Sequence, residues 1–292
     1  MVKYYTIVRQ DSKKTLNVGG EILSLDQPCV MGILNITPDS FYEGSRIADA
    51  GSEDLISRAG DLISQGASII DIGGYSTRPG AREIDATEEL ERVIPAIASI
   101  RRHFPQAIIS VDTFRAEVAK AAVHTGAHII NDVSGGNLDP EMFETVAALK
   151  VPYVLMHMRG TPRTMSRLTH YESFPADIIR ELREKLVKLR ELGAADIIID
   201  PGFGFAKTPA QNFALLSFLP AFQQLECPVL VGVSRKSTIY KTLGISPEEA
   251  LTGTTVLNTI ALMNGAHILR VHDVAEARQA IILTELVSNS KL

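Results

Sequence analysis

The stretch that decides the fold is 194–208, AADIIIDPGFGFAKT. Three successive isoleucines, Ile197 to Ile199, suit a strand that is covered on both faces. The run nevertheless closes on Asp200, followed by a Pro201–Gly202 turn. A buried carboxylate left unpaired costs about 1–3 kcal/mol or more, so this placement needs a reason.

The segment has seven siblings of similar size: CVMGILNIT (29–37), GASIIDIGG (66–74), AIISVDT (107–113), GAHIINDVS (126–134), PYVLMHM (152–158), PVLVGVSR (228–235) and GAHILRVHD (265–273). Between them lie patterns such as EDLISRAGDLISQ and FPADIIRELREKLVKLREL, with apolar residues three and four apart as in a helix. Eight strand–helix units with two-sided apolar strands predict an α/β protein, a closed parallel (β/α)8 TIM barrel. An open doubly wound sheet is the alternative, and the even spacing favours closure. Within residues 1–28, YYTIV and TLNVGGEILSL read as a hairpin that turns at Gly19-Gly20 and caps the barrel bottom. No linker interrupts the chain, so 1–292 is expected to be one domain.

Composition narrows the function. The 29 Lys and Arg against 34 Asp and Glu give a net charge of −5, which argues against a general nucleic-acid binder. No run approaches the ~18 apolar residues of a membrane span. MVKYYTIVRQDSKK has no apolar core of a secretory signal. Cys29 and Cys227 sit in apolar runs and read as reduced core thiols. The expectation is a cytoplasmic enzyme without nucleic-acid or membrane partners.

In a barrel the carboxyl ends of the strands meet at one mouth, and active sites are built there. Those ends carry Asn35, Asp71, Asp112, Asn131, His157 with Arg159, Asp200, Arg235 with Lys236, and Arg270 with His272. Asp112, Asn131 and Asp200 offer acceptors and an amide, a set suited to a flat heterocycle rich in N–H groups. Met156 faces the same mouth. Arg270 and His272, two apart, share a face. With Arg235, Lys236 and Ser237 of the SRKS motif they suggest an anion half-site around the last two strands. No His/Cys cluster has zinc spacing. His103, His124, His128 and His170 read as surface or packing residues. NITPDSFYEGSR and GGYSTRPGAREI exceed the usual length of such loops and read as lids.

The motifs GILNITPDSF, DIGGYSTRPGA, SVDTFR, GAHIINDVSGG, HMRGTPRTM, DPGFGFAKT, GVSRKS and GTTVLNTIALMNGAHILRVHDV occur in this order over roughly residues 30–275. Together they resemble the dihydropteroate synthases, the folate-pathway enzymes inhibited by sulfonamides. The resemblance implies condensation of 6-hydroxymethyl-7,8-dihydropterin diphosphate with 4-aminobenzoate, giving 7,8-dihydropteroate and diphosphate. It implies that Asp112, Asn131 and Asp200 bind the pterin edge, that Lys236 reaches its carbonyl, and that Arg270 lies against the ring. Asn35 would contact the diphosphate and a Mg²⁺ ion, Thr77 the same substrate, and Arg270 with His272 the leaving group. Phe205, Lys236 and Ser237 would shape the aminobenzoate pocket. Asp112, Asp200, Lys236, Arg270 and His272 would act in catalysis by a dissociative, SN1-like route. A homodimer through the last helices is also implied.

The chain departs from the common family pattern at Tyr75, where many members have Glu, and at Glu43 and Ser45 in the first loop. The rival reading is a methyltetrahydrofolate-dependent methyltransferase, which would have no use for STRPG, SRKS and RVH together. A non-catalytic pterin-binding homologue would have lost Lys236, Arg270 or Asn35, and all three are present.

Overall fold

The computed structural model describes residues 14–36, 53–76 and 82–290. The YYTIV run, Glu43, Ser45, Thr77 and most of the two proposed lids lie outside the described residues.

Strands β1 (Thr15–Val18) and β2 (Glu21–Ser24) form the expected hairpin, with Val18 opposite Glu21. Gly19 and Gly20 both have positive φ, the geometry of a two-residue turn that follows the strands' own twist. Asn17 Oδ1 accepts from Gly20 N–H at 2.8 Å.

The barrel strands follow: β3 (Cys29–Asn35), β4 (Ile69–Gly73), β5 (Ile108–Asp112), β6 (Ile129–Asp132), β7 (Tyr153–Met156), β8 (Ile197–Asp200), β9 (Leu230–Val231) and β10 (Ile268–Val271). Helices α1 (Glu53–Ser64), α2 (Ala86–His103), α3 (Ala116–Thr125), α4 (Met142–Leu149), α5 (Ala176–Glu191) and α6 (Pro209–Ser217) follow β3 to β8 in turn. Two helices, α7 (Ser237–Leu243) and α8 (Leu251–Met263), separate β9 from β10, and α9 (Val274–Asn289) closes the last unit. The parallel strands are ordered β8-β7-β6-β5-β4-β3-β10-β9. A bridge between Ile199 and Val229 closes the ring, and Ile199 N–H donates to Pro228 O at 2.8 Å. The barrel, not the open sheet, is the fold.

Alternation sorts every strand. Outward residues, among them Val30, Ile70, Val111, Leu155, Ile199 and Leu269, pack against the helices in the main core. Inward residues at the amino ends (Met31, Ile69, Ile129, Val154, Ile198, Leu230, Ile268) form a second core with Leu16, Val18 and Leu25 of the hairpin segment. The hairpin therefore plugs the bottom with apolar side chains. The same parity carries Asp71, Asp112, Asn131, Asp200 and Arg270 into the upper interior.

Candidate active site

Arg270 organises the upper barrel. Its Nε donates to Asp71 Oδ2 at 2.6 Å and its Nη2 to Asp112 Oδ2 at 2.7 Å. Asn131 Nδ2 donates to the same Asp71 oxygen at 3.0 Å. Burial raises the Asp112 pKa to about 7; Arg270 opposes the rise, and Asp71 adds to it. Arg270 itself is held above its ordinary value by Asp71 and Asp112, despite burial. Such a carboxylate is poised to take hydrogen bonds from a ligand with N–H groups.

The loop after β8 builds the opposite wall. Asp200 is buried and accepts from Gly202 N–H at 2.7 Å; burial raises its pKa, and Lys236 pulls it down. Gly202 has a φ of +74°, and a Cβ there would lie 2.0 Å from His157 O, so the DPG turn requires glycine. Lys236 Nζ donates to Phe203 O at 2.6 Å and lies 4.8 Å from the centre of the Phe205 ring. Burial lowers its pKa to about 8, against the attraction of Asp200. The next helix begins with a capping box, Thr208 Oγ1 accepting from Gln211 N–H and Gln211 Oε1 from Thr208 N–H.

The other sequence-derived candidates fall around this centre. Met156 is buried in an apolar rim with Val133, Met158, Met165 and Ala206, against Phe114 and Phe205. Asn35 ends β3, half-buried, opposite Gly73. Ser237 is exposed and opens α7. His272 follows the end of β10, half-buried, and its N–H donates to Ser234 Oγ at 3.2 Å. Thr77 is outside the described residues.

Two expectations are corrected. Arg235 does not serve the anion half-site. Its guanidinium donates to both oxygens of Asp273, Nε to Oδ2 at 2.9 Å and Nη2 to Oδ1 at 2.7 Å, while Nη1 reaches the carbonyls of Pro247 and Glu248. Its φ of +50° is a strained setting held by these bonds and by Thr254 Oγ1, which accepts from its N–H. His157 also leaves the mouth: it faces outward from the strand end and pairs with Glu181 of α5 at 3.1 Å. Period-two alternation places 157 opposite in sense to 156.

Three contributors carried no role in the sequence reading. Asp71 was visible only as one strand end among eight. Lys207, buried and bonded to His157, Gly202 O and Phe205 O, sits in the DPGFGFAKT motif, where the strand-end pattern singles out only the aspartate. Tyr75 stacks edge-on against Phe114 with centroids 5.0 Å apart, and Arg115 lies over both rings.

Comparison with known proteins follows the same lines. The pterin binding enzyme family matches residues 31–272. A dihydropteroate synthase of Escherichia coli (strain K12) is 42% identical over 274 residues, which is 93% of this chain and 96% of that protein. The structure of the Yersinia pestis dihydropteroate synthase with a sulfonamide drug complex superposes with a TM-score of 0.89 at 39% identity, covering 95% of this chain and all of that one. The dihydropteroate synthase from Xanthomonas albilineans in complex with 7,8-dihydropteroate gives a TM-score of 0.81 at 36% identity, covering 96% and 100%. Fold, motif order and this level of identity over nearly the whole chain agree: the chain belongs to the dihydropteroate synthase family of pterin binding enzymes.

Proposed function

We propose that the mouth of the barrel condenses 6-hydroxymethyl-7,8-dihydropterin diphosphate with 4-aminobenzoate, releasing 7,8-dihydropteroate and diphosphate for folate synthesis. The observation that carries this reading is the ring of buried and half-buried polar groups at the strand ends. Asp112 and Asn131 are joined through Arg270 and Asp71 on one side, and Asp200 lies beside Lys236 on the other. The 7,8-dihydropteroate bound by the Xanthomonas relative supports the same substrate class.

In this mechanism Asp112, Asn131 and Asp200 accept hydrogen bonds from the ring N–H and amino groups of the pterin. Lys236 donates to its carbonyl, Met156 packs beneath it and Arg270 lies against its face. The bond from the pterin methylene carbon to the diphosphate oxygen breaks, and the electron pair leaves with the diphosphate. Positive charge then spreads over the pterin, where the carboxylates stabilise it as it forms. Arg270 and His272 hold the departing anion, and Thr77 binds the same substrate. Phe205 and Lys236 seat the aminobenzoate ring, and Ser237 binds its carboxylate. The amine attacks the methylene carbon, and the proton it sheds passes to the released diphosphate. The apolar rim around Met156, Met158 and Phe114 keeps water from the cation.

A magnesium ion fits the donor set. Among the described residues, no three His, Cys, Asp or Glu side chains form a protein-only metal cage. Asn35 Oδ1 is a hard donor beside Gly73, where a Cβ would lie 3.4 Å from it and 3.9 Å from Asp112 Oδ2. One protein oxygen together with substrate phosphates is a common way to hold Mg²⁺. Asn35 would hold it with the diphosphate, and the ion would neutralise charge on the leaving group.

The protein is proposed to act as a homodimer. Val256, Ile260 and Met263 are exposed on α8, and Ile282, Leu283, Leu286 and Val287 are exposed on α9, which packs beside it. A patch of this kind is unusual on a monomer. No described helix is long and apolar enough to cross a membrane, and the expected cytoplasmic setting agrees with Cys29 and Cys227, both buried and neither in a disulfide.

The test is diphosphate release with both substrates and Mg²⁺, beside Lys236→Ala and Asp200→Asn. Dihydropteroate formation that collapses in both variants supports the assignment. Pterin binding without release sinks the synthase reading, and hydroxymethylpterin as the main wild-type product sinks the dissociative, water-excluding mechanism.

A further inference from the structure

We propose that Asp71 is a positioning residue of this pocket, holding Arg270 and Asn131 so that Asp112 can pass from Arg270 to the substrate without the pocket losing its cation. The inference rests on the mouth being a pterin site.

The two carboxylates that share Arg270 differ in reach. The Asp71 side chain is fully buried, whereas that of Asp112 is 15% exposed. The strand register explains the difference: Asp112 pairs with Gly73, while Asp71 pairs with Ser110, one inward layer deeper. Asp112 is therefore the member that a ligand in the mouth can meet. Asp71 acts only through what it holds.

It holds two groups with one oxygen. Oδ2 takes Arg270 Nε at 2.6 Å and Asn131 Nδ2 at 3.0 Å. An ionised carboxylate only accepts, so it fixes which end of the Asn131 amide points down and leaves Oδ1 as the acceptor on the other side. It also grips the guanidinium at Nε and leaves the terminal nitrogens to other partners, one of them Asp112. When Asp112 turns to the substrate's N–H groups, Arg270 still has a full counter-charge below. Without Asp71 the arginine and Asp112 would satisfy each other, and the substrate would have to break their pairing.

Two measurements test this. In Asp71→Asn, KM for the dihydropterin diphosphate rises and kcat/KM falls about 100-fold, the scale of a mispositioned binding group, while KM for 4-aminobenzoate stays unchanged. The acid limb of the kcat/KM profile also moves to lower pH. Asp112 faces Arg270 from β10, Asp71 from β4, Glu89 from α2 and Asp132 from β6. Removing the Asp71 charge removes one of the negative groups that raise its pKa, while a purely structural role would raise KM for both substrates alike. The second measurement uses the unaltered protein and decides the matter if Asp71→Asn does not fold. In a crystal structure with 6-hydroxymethylpterin, Arg270 Nε stays within hydrogen-bond distance of Asp71 while Asp112 bonds the pterin. An Arg270 that leaves Asp71 on binding overturns the proposal. An active wild type matched by Asp71→Asn in KM and pH profile overturns it alone; an inactive wild type removes the synthase reading as well.

Discussion

Lys207 Nζ lies 3.0 Å from His157 Nδ1, and the same ammonium donates to the carbonyls of Gly202 at 2.9 Å and Phe205 at 3.0 Å. Two of these bonds brace the loop after β8 from within, and the third ties it to His157 just beyond the end of β7. Burial holds the His157 pKa down to about 4, with Lys207 adding to the effect. The ring is therefore neutral, accepts at Nδ1, and donates from Nε2 to Glu181.

Lys207→Met leaves those three acceptors without their donor. The expected cost is about 1–3 kcal/mol in urea denaturation. KM for 4-aminobenzoate rises as well, because Phe205 and the Phe203 carbonyl that receives Lys236 sit on the same loop. Unchanged stability and KM would mean that the loop holds its shape without the lysine.

Arg235→Ala breaks a buried bidentate ion pair whose partners are 6% and 12% exposed. Removing one member of such a pair costs about 3–5 kcal/mol, read from the thermal or urea transition. Arg235→Lys recovers little, since an ammonium cannot span both Asp273 oxygens and two carbonyls. Full recovery by lysine would show that charge alone, without the fork, holds the loop.

The pH dependence follows from two groups. Below a pH of about 7 Asp112 takes a proton and ceases to be an anionic acceptor. Above a pH of about 8 Lys236 loses its charge and its strongest donor. The profile of kcat/KM for the pterin diphosphate, which reports the free enzyme, is therefore a bell with its maximum between these values. Lys236→Arg moves the alkaline limb beyond the accessible range, whatever the absolute rate. An alkaline limb that stays near 8 in that variant would assign it to another group.

Met263→Glu combined with Leu286→Glu places charges among the exposed apolar side chains of α8 and α9 without touching the barrel interior. Sedimentation velocity is expected to show the unaltered chain as a dimer and the double variant as a folded monomer. A monomeric unaltered chain at micromolar concentration would remove the dimer from the proposal.

Much of the site was legible before the fold was known, and the reason is local. In GAHIINDVS and GAHILRVHD a period of two decides which side chains enter the barrel, so Asn131 and Arg270 had their direction from their neighbours alone. The same rule sends His157 outward, and counting from Met156 would have shown it. What local reading could not assign was partnership. Arg235 and Lys236 are adjacent cations in one motif, yet one is bound to Asp273 and the other faces Phe203 and Phe205.

By itself the sequence determined the eight strand–helix units, the glycine turn at residues 19 and 20, and the set of polar residues at the strand ends, because each depends on spacing and conformational preference within a few residues. The tertiary structure decided that Arg270 reaches Asp71 across 199 residues of chain, that Asp71 lies a layer below Asp112, and that the ring closes between Ile199 and Val229. These depend on strand register and on which charges share a low-dielectric interior. Both are properties of the closed barrel and of no single segment of it.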